Sequence, residues 1–211
     1  MIIAMAQHKG GVGKSMIGFN LAIELQRRER TVIVVDADRT MRSSTTFGDD
    51  RAANQLPVIP VVAGNGNLVE MLQSLDAQYD YVIVDSKGGD TTETRTSIVA
   101  ADVVVSPLSG QQNDLDSLEE FAKTVTAARD MNPDLRVLVV LNRVSPQGRA
   151  SEVSSAKEYI ADYPEFELAE TVITTTSAWG KARSEGRGVV EIDAPKQKAA
   201  LQVLASEILG E

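Results

Sequence analysis

Eight residues near the amino terminus, His8-Lys9-Gly10-Gly11-Val12-Gly13-Lys14-Ser15, have the make-up of an anion cradle. They follow the apolar run Ile2-Ile3-Ala4-Met5-Ala6 and precede Met16-Ile17-Gly18-Phe19-Asn20-Leu21-Ala22, the order of a strand, a glycine loop and a helix. The glycines let successive backbone N–H groups turn toward one anion, and the N-terminus of the following helix adds its partial positive charge. A polyphosphate fits such a loop. Lys14 reaches its outer phosphates as a point charge, and the Ser15 hydroxyl completes the shell of a phosphate-bound magnesium ion. The strict pattern G-x-x-x-x-G-K-[ST] fails at position 8, which is His, whereas the variant K-G-G-x-G-K-[ST] is met in full. Lys9 adds a cation at the loop's entrance beyond what one nucleotide requires, and it can serve the nucleotide of a neighbouring subunit. His8, the only histidine, reads as a loop residue.

Carboxylates follow at two strand ends. Thr31-Val32-Ile33-Val34-Val35 is β-branched without polar alternation, as in a strand buried on both faces of a parallel sheet. It delivers Asp36 and Asp38 to the crevice beyond the carboxyl ends of the strands, where open α/β sheets bind ligands. An acidic turn closing a strand is the plainer reading of the same pair. Tyr81-Val82-Ile83-Val84 is the next such run, and it ends in Asp85, which carries a carboxylate to the metal's outer shell opposite Ser15. In the loop Ser86-Lys87-Gly88-Gly89-Asp90, paired glycines suit a segment that senses a terminal phosphate. Arg39 and Arg42 set two cations beside the Asp38 turn, either to meet a partner or a phosphate or simply to be solvated.

These groups need a scaffold. The alternation of apolar runs and amphipathic stretches predicts an α/β fold: a doubly wound, mostly parallel sheet with helices on both faces. After the first helix, with its charged end at Gln26 to Arg30, residues 41–56 read as a polar helix or loop broken at Gly48-Asp49-Asp50. Two prolines demote Leu56 to Val62 to an edge strand or extended connection. Asn67 to Leu75 is a short helix, Val103 to Pro107 a buried strand, and Asn113 to Met131 an acidic amphipathic helix. Leu135 to Leu141 is a strand that ends in Asn142-Arg143, and Leu168 to Ile173 is a further strand among helices. The 211 residues, 43% of them hydrophobic, suffice for one cored domain, 1–211. Cysteine is absent, which excludes disulfides, thiolate metal sites and cysteine nucleophiles and agrees with a reducing cytoplasm. No apolar run approaches the roughly 20 residues of a membrane span.

The stretch Lys9 to Ser15 resembles the deviant Walker A box of the ParA/MinD superfamily of dimerising ATPases, most closely the small DNA-segregating ParA proteins without an N-terminal DNA-binding domain. Residues 36–38 and 82–85 are tight matches, 186–191 a looser one. The resemblance implies a P-loop NTPase that uses ATP and Mg2+, with Lys9, Gly10, Gly11, Val12, Gly13, Lys14, Ser15 and Met16 on the nucleotide. It implies that Ser15, Asp36 and Asp85 support the metal mostly through water, that Asp38 orients the attacking water, and that Lys9 and Lys14 complete the catalytic set. Asn142 would read the adenine edge. The family's D-x-D-P-Q is here Asp36-Ala37-Asp38-Arg39-Thr40, and an expected Arg is Thr176.

The resemblance further implies an ATP-sandwich homodimer that binds nonspecific DNA and positions a plasmid, a chromosome region or a protein assembly. A ParB-like or other cargo adaptor would stimulate slow hydrolysis, and the protein would be cytoplasmic and nucleoid-associated when loaded. A net charge of −9 repels nucleic acid at long range, so DNA contact needs a local basic face. Lys181, Arg183, Arg187, Lys196 and Lys198 stand against three carboxylates between Ser177 and Ala200; they form either that face or a solvated helix surface. Two other classes compete. A MinD-like membrane switch needs a basic amphipathic terminal helix, but Leu201 to Glu211 holds no Lys or Arg, so no membrane contact is expected. A metabolic ligase on the same scaffold needs its own substrate acid or base, and no such constellation stands out.

Overall fold

The computed structural model describes residues 1–109, 117–147 and 149–211. Seven strands are present among them: β1 (Ile2–Met5), β2 (Val32–Asp36), β3 (Val61–Ala63), β4 (Tyr81–Asp85), β5 (Val103–Leu108), β6 (Arg136–Val144) and β7 (Glu167–Thr174). They form one sheet in the order β3-β2-β4-β1-β5-β6-β7, with every pairing parallel. The described helices are α1 (Lys14–Arg27), α2 (Ser43–Ala53), α3 (Val69–Asp76), α4 (Thr92–Ala100), α5 (Ser117–Arg129), α6 (Arg149–Ile160), α7 (Ser177–Ser184) and α8 (Pro195–Leu209). The sheet is doubly wound, as the alternating pattern predicts.

The unbroken apolar strands are explained by two cores. Ile3 and Met5 of β1, Val32 and Val34 of β2 and Ile83 of β4 point to one face, where Phe19 and Leu21 of α1, Phe47 of α2 and Leu201 and Leu204 of α8 cover them. The alternate residues Ile2, Ala4, Ile33, Val35, Val82 and Val84 point to the other face, under Leu72 of α3, Ile98 of α4 and Leu118, Phe121 and Val125 of α5. Both sets are removed from water, so neither can be polar.

Several boundaries differ from the sequence reading. Gly48-Asp49-Asp50 does not break α2: the missing side chain at Gly48 lets the helix lie on Val61, whose Cγ2 would stand 2.9 Å from a Cβ there. The edge segment narrows to three residues, Val61–Ala63, because Pro57 and Pro60 cannot donate to a ladder. Strand β6 runs through Asn142 and Arg143 instead of stopping before them; Arg143 takes φ 59°, at an irregularity in the pairing with β7 between Leu141 and Val144. Residues 113–116 of the acidic helix lie outside the described residues, and its described part is α5.

One largely buried ion pair locks α2 to the segment before α8. Arg51, at the end of α2, is fully buried; its guanidinium donates to both carboxylate oxygens of Glu191 at 2.7 and 3.1 Å, to Gly186 O at 3.1 Å and to Pro57 O. Removing one partner strands the other's charge in a dry site, which typically costs about 3–5 kcal/mol. Arg51→Ala is therefore expected to lose stability of that order in urea denaturation, and Arg51→Lys to recover little of it, because a single ammonium cannot reproduce the planar fork.

Candidate functional site

The loop between β1 and α1 owes its path to glycine. Gly11 and Gly13 have φ of 74° and 106°, the left-handed region that side chains avoid. A Cβ on Gly13 would also lie 2.2 Å from Asn142 Nδ2, so the loop closes onto β6 only because that atom is missing. Gly10 and Gly11 are exposed, with nothing within 4 Å of a Cβ built on either, and the loop's outer face is open. Met16 follows in the first turn of α1, half-buried. Lys14 is buried, and its ammonium donates to Gln7 O at 3.2 Å and Lys9 O at 3.1 Å. Burial lowers its pKa, against the opposing pull of the Asp85 and Asp38 carboxylates. Lys14 thus threads the loop it would serve, within the field of two acids.

Those acids sit where parallel pairing places them. Asp36 and Asp85 are register partners at the ends of β2 and β4, and Asp85 is also paired with Met5 at the mouth of the glycine loop. Asp85 Oδ1 accepts from Ser15 Oγ at 3.1 Å, and its Oδ2 from Ser44 Oγ at 2.7 Å. Asp36 Oδ2 accepts from Thr45 N at 2.8 Å and Thr45 Oγ1 at 2.7 Å. Asp38 stands at the edge of this cluster, its Oδ1 closing a turn by accepting from Thr40 N and Met41 N at 3.0 and 3.1 Å. Among the described residues no group of three or more His, Cys, Asp or Glu is arranged to hold a metal by itself. One hydroxyl and two carboxylates beside an anion loop fit a magnesium ion that takes most of its oxygens from phosphate and water.

The second glycine loop touches the first. A Cβ on Gly88 would come within 2.9 Å of Gly10 Cα, and Gly89 has φ 105°. Lys87 Nζ reaches Thr40 Oγ1 at 3.4 Å, which links this loop to the turn after Asp38; Arg39 meets Asn65 Oδ1 at 3.2 Å. His8 is more than a loop residue: its Nε2 pairs with Thr124 Oγ1 at 3.1 Å, and its ring meets Phe121 edge-on at 5.4 Å. Burial lowers its pKa, with Asp90 and Glu120 opposing. Its contacts lie on α5, more than a hundred residues away in the chain, and nothing local in the sequence announces them.

Asn142 lies inside the fold against the glycine loop, its Nδ2 donating to Val12 O at 2.6 Å. Its Oδ1 and Thr176 Oγ1 are, among the described residues, the buried side-chain polar atoms without a partner. An unpartnered buried carbonyl oxygen beside the loop suits a ligand's N–H donor. The five cations nominated for DNA lie elsewhere, on α7, the turn after it and the first turn of α8. They are not equivalent. Arg183 is ion-paired with Asp50 and stands over the Phe47 ring at 4.6 Å, and Arg187 lies 3.9 Å from Glu185; Lys181 and Lys196 are exposed and Lys198 half-buried. Residues that sequence reasoning passed over are Ser44 and Thr45; the hydroxyl run Ser43-Ser44-Thr45-Thr46 at a helix start, a few residues beyond Asp36, is the available signal.

A parallel sheet with a glycine loop, lysine and serine after its first strand, and an aspartate ending a neighbouring strand, defines a P-loop nucleotide-binding protein. Residues 3–189 match the model of the CobQ/CobB/MinD/ParA nucleotide binding domain, and the chain belongs to that family. It is similar to the maintenance of carboxysome distribution protein A of Halothiobacillus neapolitanus, at 26% identity over 212 residues, 99% of this chain and 94% of that one. It is also similar to the chromosome partitioning protein ParA of Myxococcus xanthus, at 25% identity over 231 residues, 91% and 81% of the two chains. The fold is shared with the septum site-determining protein MinD of Pyrococcus horikoshii, solved complexed with Mg-ADP, at a TM-score of 0.74, 18% identity and coverage of 98% and 95%.

Asp85 carries a pH signature. Burial pushes its carboxyl from 3.8 up to about 6, the Ser44 and Ser15 hydroxyls oppose the rise, and Asp36 adds to it. A pKa raised by folding means that the native state holds the proton more tightly than the unfolded chain. The contribution to stability is then full below 3.8 and is lost as pH rises through about 6. Asp85→Asn removes that loss. Without ligand, the variant is expected to match wild type near pH 4 and to exceed it progressively toward pH 7, by at most on the order of 3 kcal/mol. Urea melts across that range read the difference, and a constant gap would show that Asp85 ionises normally.

Proposed function

We propose that the protein is a ParA-like ATPase that dimerises around two ATP molecules with Mg2+, binds DNA without sequence preference and positions a cargo until a ParB-like or other adaptor stimulates hydrolysis. The observation that carries this reading is the glycine loop itself, with a buried Lys14 within and exposed Gly10 and Gly11 on its outer face; Lys9, beside them in the chain, would reach a second subunit's phosphates. Magnesium supplies charge neutralisation for phosphoryl transfer. The chain supplies position: the loop N–H groups and Lys14 would hold the phosphates, and Ser15, Asp36 and Asp85 would hold the cation, mostly through water. Asp38 orients the attacking water, and no protein nucleophile is required. Asn142 Oδ1 accepts from the amino group of adenine. The similarity to partition and carboxysome-distribution proteins supports the positioning role.

A lipid-borne version has less support. The apolar residues Leu201, Leu204, Ala205 and Ile208 of α8 are spent in the core, and Val203 is the one large apolar residue of that helix left exposed. No described helix is long and apolar enough to cross a membrane. For DNA, the ion pairs of Arg183 and Arg187 shift the expected phosphate contacts to Lys181, Lys196 and Lys198.

Lys9→Ala is expected to bind nucleotide but to lose ATP-dependent dimerisation and adaptor-stimulated hydrolysis; wild-type behaviour in sedimentation and phosphate-release assays would refute the shared-lysine mechanism. DNA binding should occur only with ATP or a nonhydrolysable analogue and weaken steeply with salt, and Lys181→Ala should lower the slope of log affinity against log salt by about 1. A slope that Lys181→Ala leaves unchanged would move the DNA face elsewhere, and no binding in any nucleotide state would move the track away from DNA.

A further inference from the structure

Helix α2 has one end at the carboxylate pair and the other against the segment 183–191, and each attachment is specific. At its first turn Ser44, buried, donates to Asp85 Oδ2 at 2.7 Å, while Thr45 gives both its N–H and its hydroxyl to Asp36 Oδ2. Along its length Phe47 stacks on Phe19 of α1 at 4.2 Å and receives the Arg183 guanidinium on its ring, and Asp50 pairs with the same arginine. At its end Arg51 grips Glu191 and Gly186 O. The backbone is tight there too: a Cβ on Gly186 would fall 2.8 Å from the Asp50 carbonyl carbon and 2.9 Å from Arg51 N. An 11-residue helix spans about 16 Å and does not compress.

We propose that Ser44 and Thr45 are positioning residues that hold Asp85 and Asp36 for the magnesium site, and that through them α2 transmits the occupancy of that site to α7. The inference rests on the nucleotide-binding reading above. Its physical basis is the division of the Asp85 carboxylate: Oδ1 is bonded by Ser15 and Oδ2 by Ser44. With Ser15 serving a bound cation, Oδ1 would be free to support the metal site, while Ser44 would keep the carboxylate plane from rotating. Partners of this kind, one shell out from a metal, commonly set its affinity by 10–100-fold. Any shift of Asp85 or Asp36 pulls on the first turn of α2, and the Phe47 and Asp50 contacts to Arg183 pass it to α7, whose exposed Lys181 is a candidate DNA contact.

The protein carries its own reporter, because its single tryptophan, Trp179, lies on α7 with Nε1 bonded to Thr174 O at 3.3 Å. The full chain is saturated with a nonhydrolysable ATP analogue and titrated with Mg2+ while Trp179 emission is followed; analogue affinity is measured separately by equilibrium dialysis. In wild type, emission is expected to change with Mg2+. Ser44→Ala should raise the Mg2+ midpoint about 10-fold, Ser44→Thr should restore it, and circular dichroism should report the same fold in each. Arg183→Ala, which removes both the Phe47 and the Asp50 contact, should leave the midpoint within about twofold and reduce the emission change to less than about half, since it cuts the connection and not the metal site. A Ser44→Ala midpoint equal to wild type overturns the positioning role. Full response in Arg183→Ala, or none in a wild type that binds the analogue, overturns the coupling. Failure of wild type to bind the analogue at all is a separate result: it removes the nucleotide reading and this inference with it.

Discussion

Two carboxylates held side by side at the ends of adjacent strands are the constraint on which the rest of this structure depends. Parallel register makes Asp36 and Asp85 neighbours, and both lie inside the protein. Like charges in a dry site repel and are poorly solvated, so their presence has to be offset by donors. Ser15 comes from the glycine loop, Ser44 and Thr45 from α2, and the Lys14 ammonium stands close enough to act on Asp85. The donors come from two separate parts of the chain, Lys14 and Ser15 at the start of α1 and Ser44 and Thr45 at the start of α2, so satisfying the pair fixes where the loop, α1 and α2 can lie. A divalent cation held by phosphate would complete what these donors begin.

The same arrangement explains why the segments around the site are interdependent. Gly88 rests on Gly10 and Lys87 meets Thr40, so the loop after β4, the glycine loop and the turn after Asp38 form one contact surface. His8 ties the glycine loop to α5 on the opposite face of the sheet from α2. From the site, contacts lead through Ser44, Thr45 and α2 toward α7, and through His8 toward α5. Where Gly88 meets Gly10 and Gly186 meets Asp50, backbone lies on backbone and leaves no side chain to absorb a shift. Family membership sets the class of chemistry expected, and the hydroxyl and arginine contacts of α2 give this chain its particular wiring.

The sequence by itself determined the sheet, the glycine loop and the identity of the acids. Runs such as Val32–Asp36 and Tyr81–Asp85 have no polar face, so they must be strands covered on both sides. The spacing from Lys9 to Ser15 leaves few uses other than a phosphate cradle. These are local properties, written in side-chain type and in the positions where only glycine fits. Tertiary structure alone decided which groups meet. Nothing near Arg183 in the chain shows that Asp50 and Phe47 occupy it and diminish it as a DNA contact, or that α2 continues through Gly48 because Val61 lies beneath. Nor does the order of residues show that Asn142 sits within β6 against Val12, or that Arg51 is buried on Glu191. The physical reason is common to all of these: a contact between residues on different elements, most of them more than a hundred positions apart, depends on strand order and helix placement, and those emerge only when both cores are packed at once.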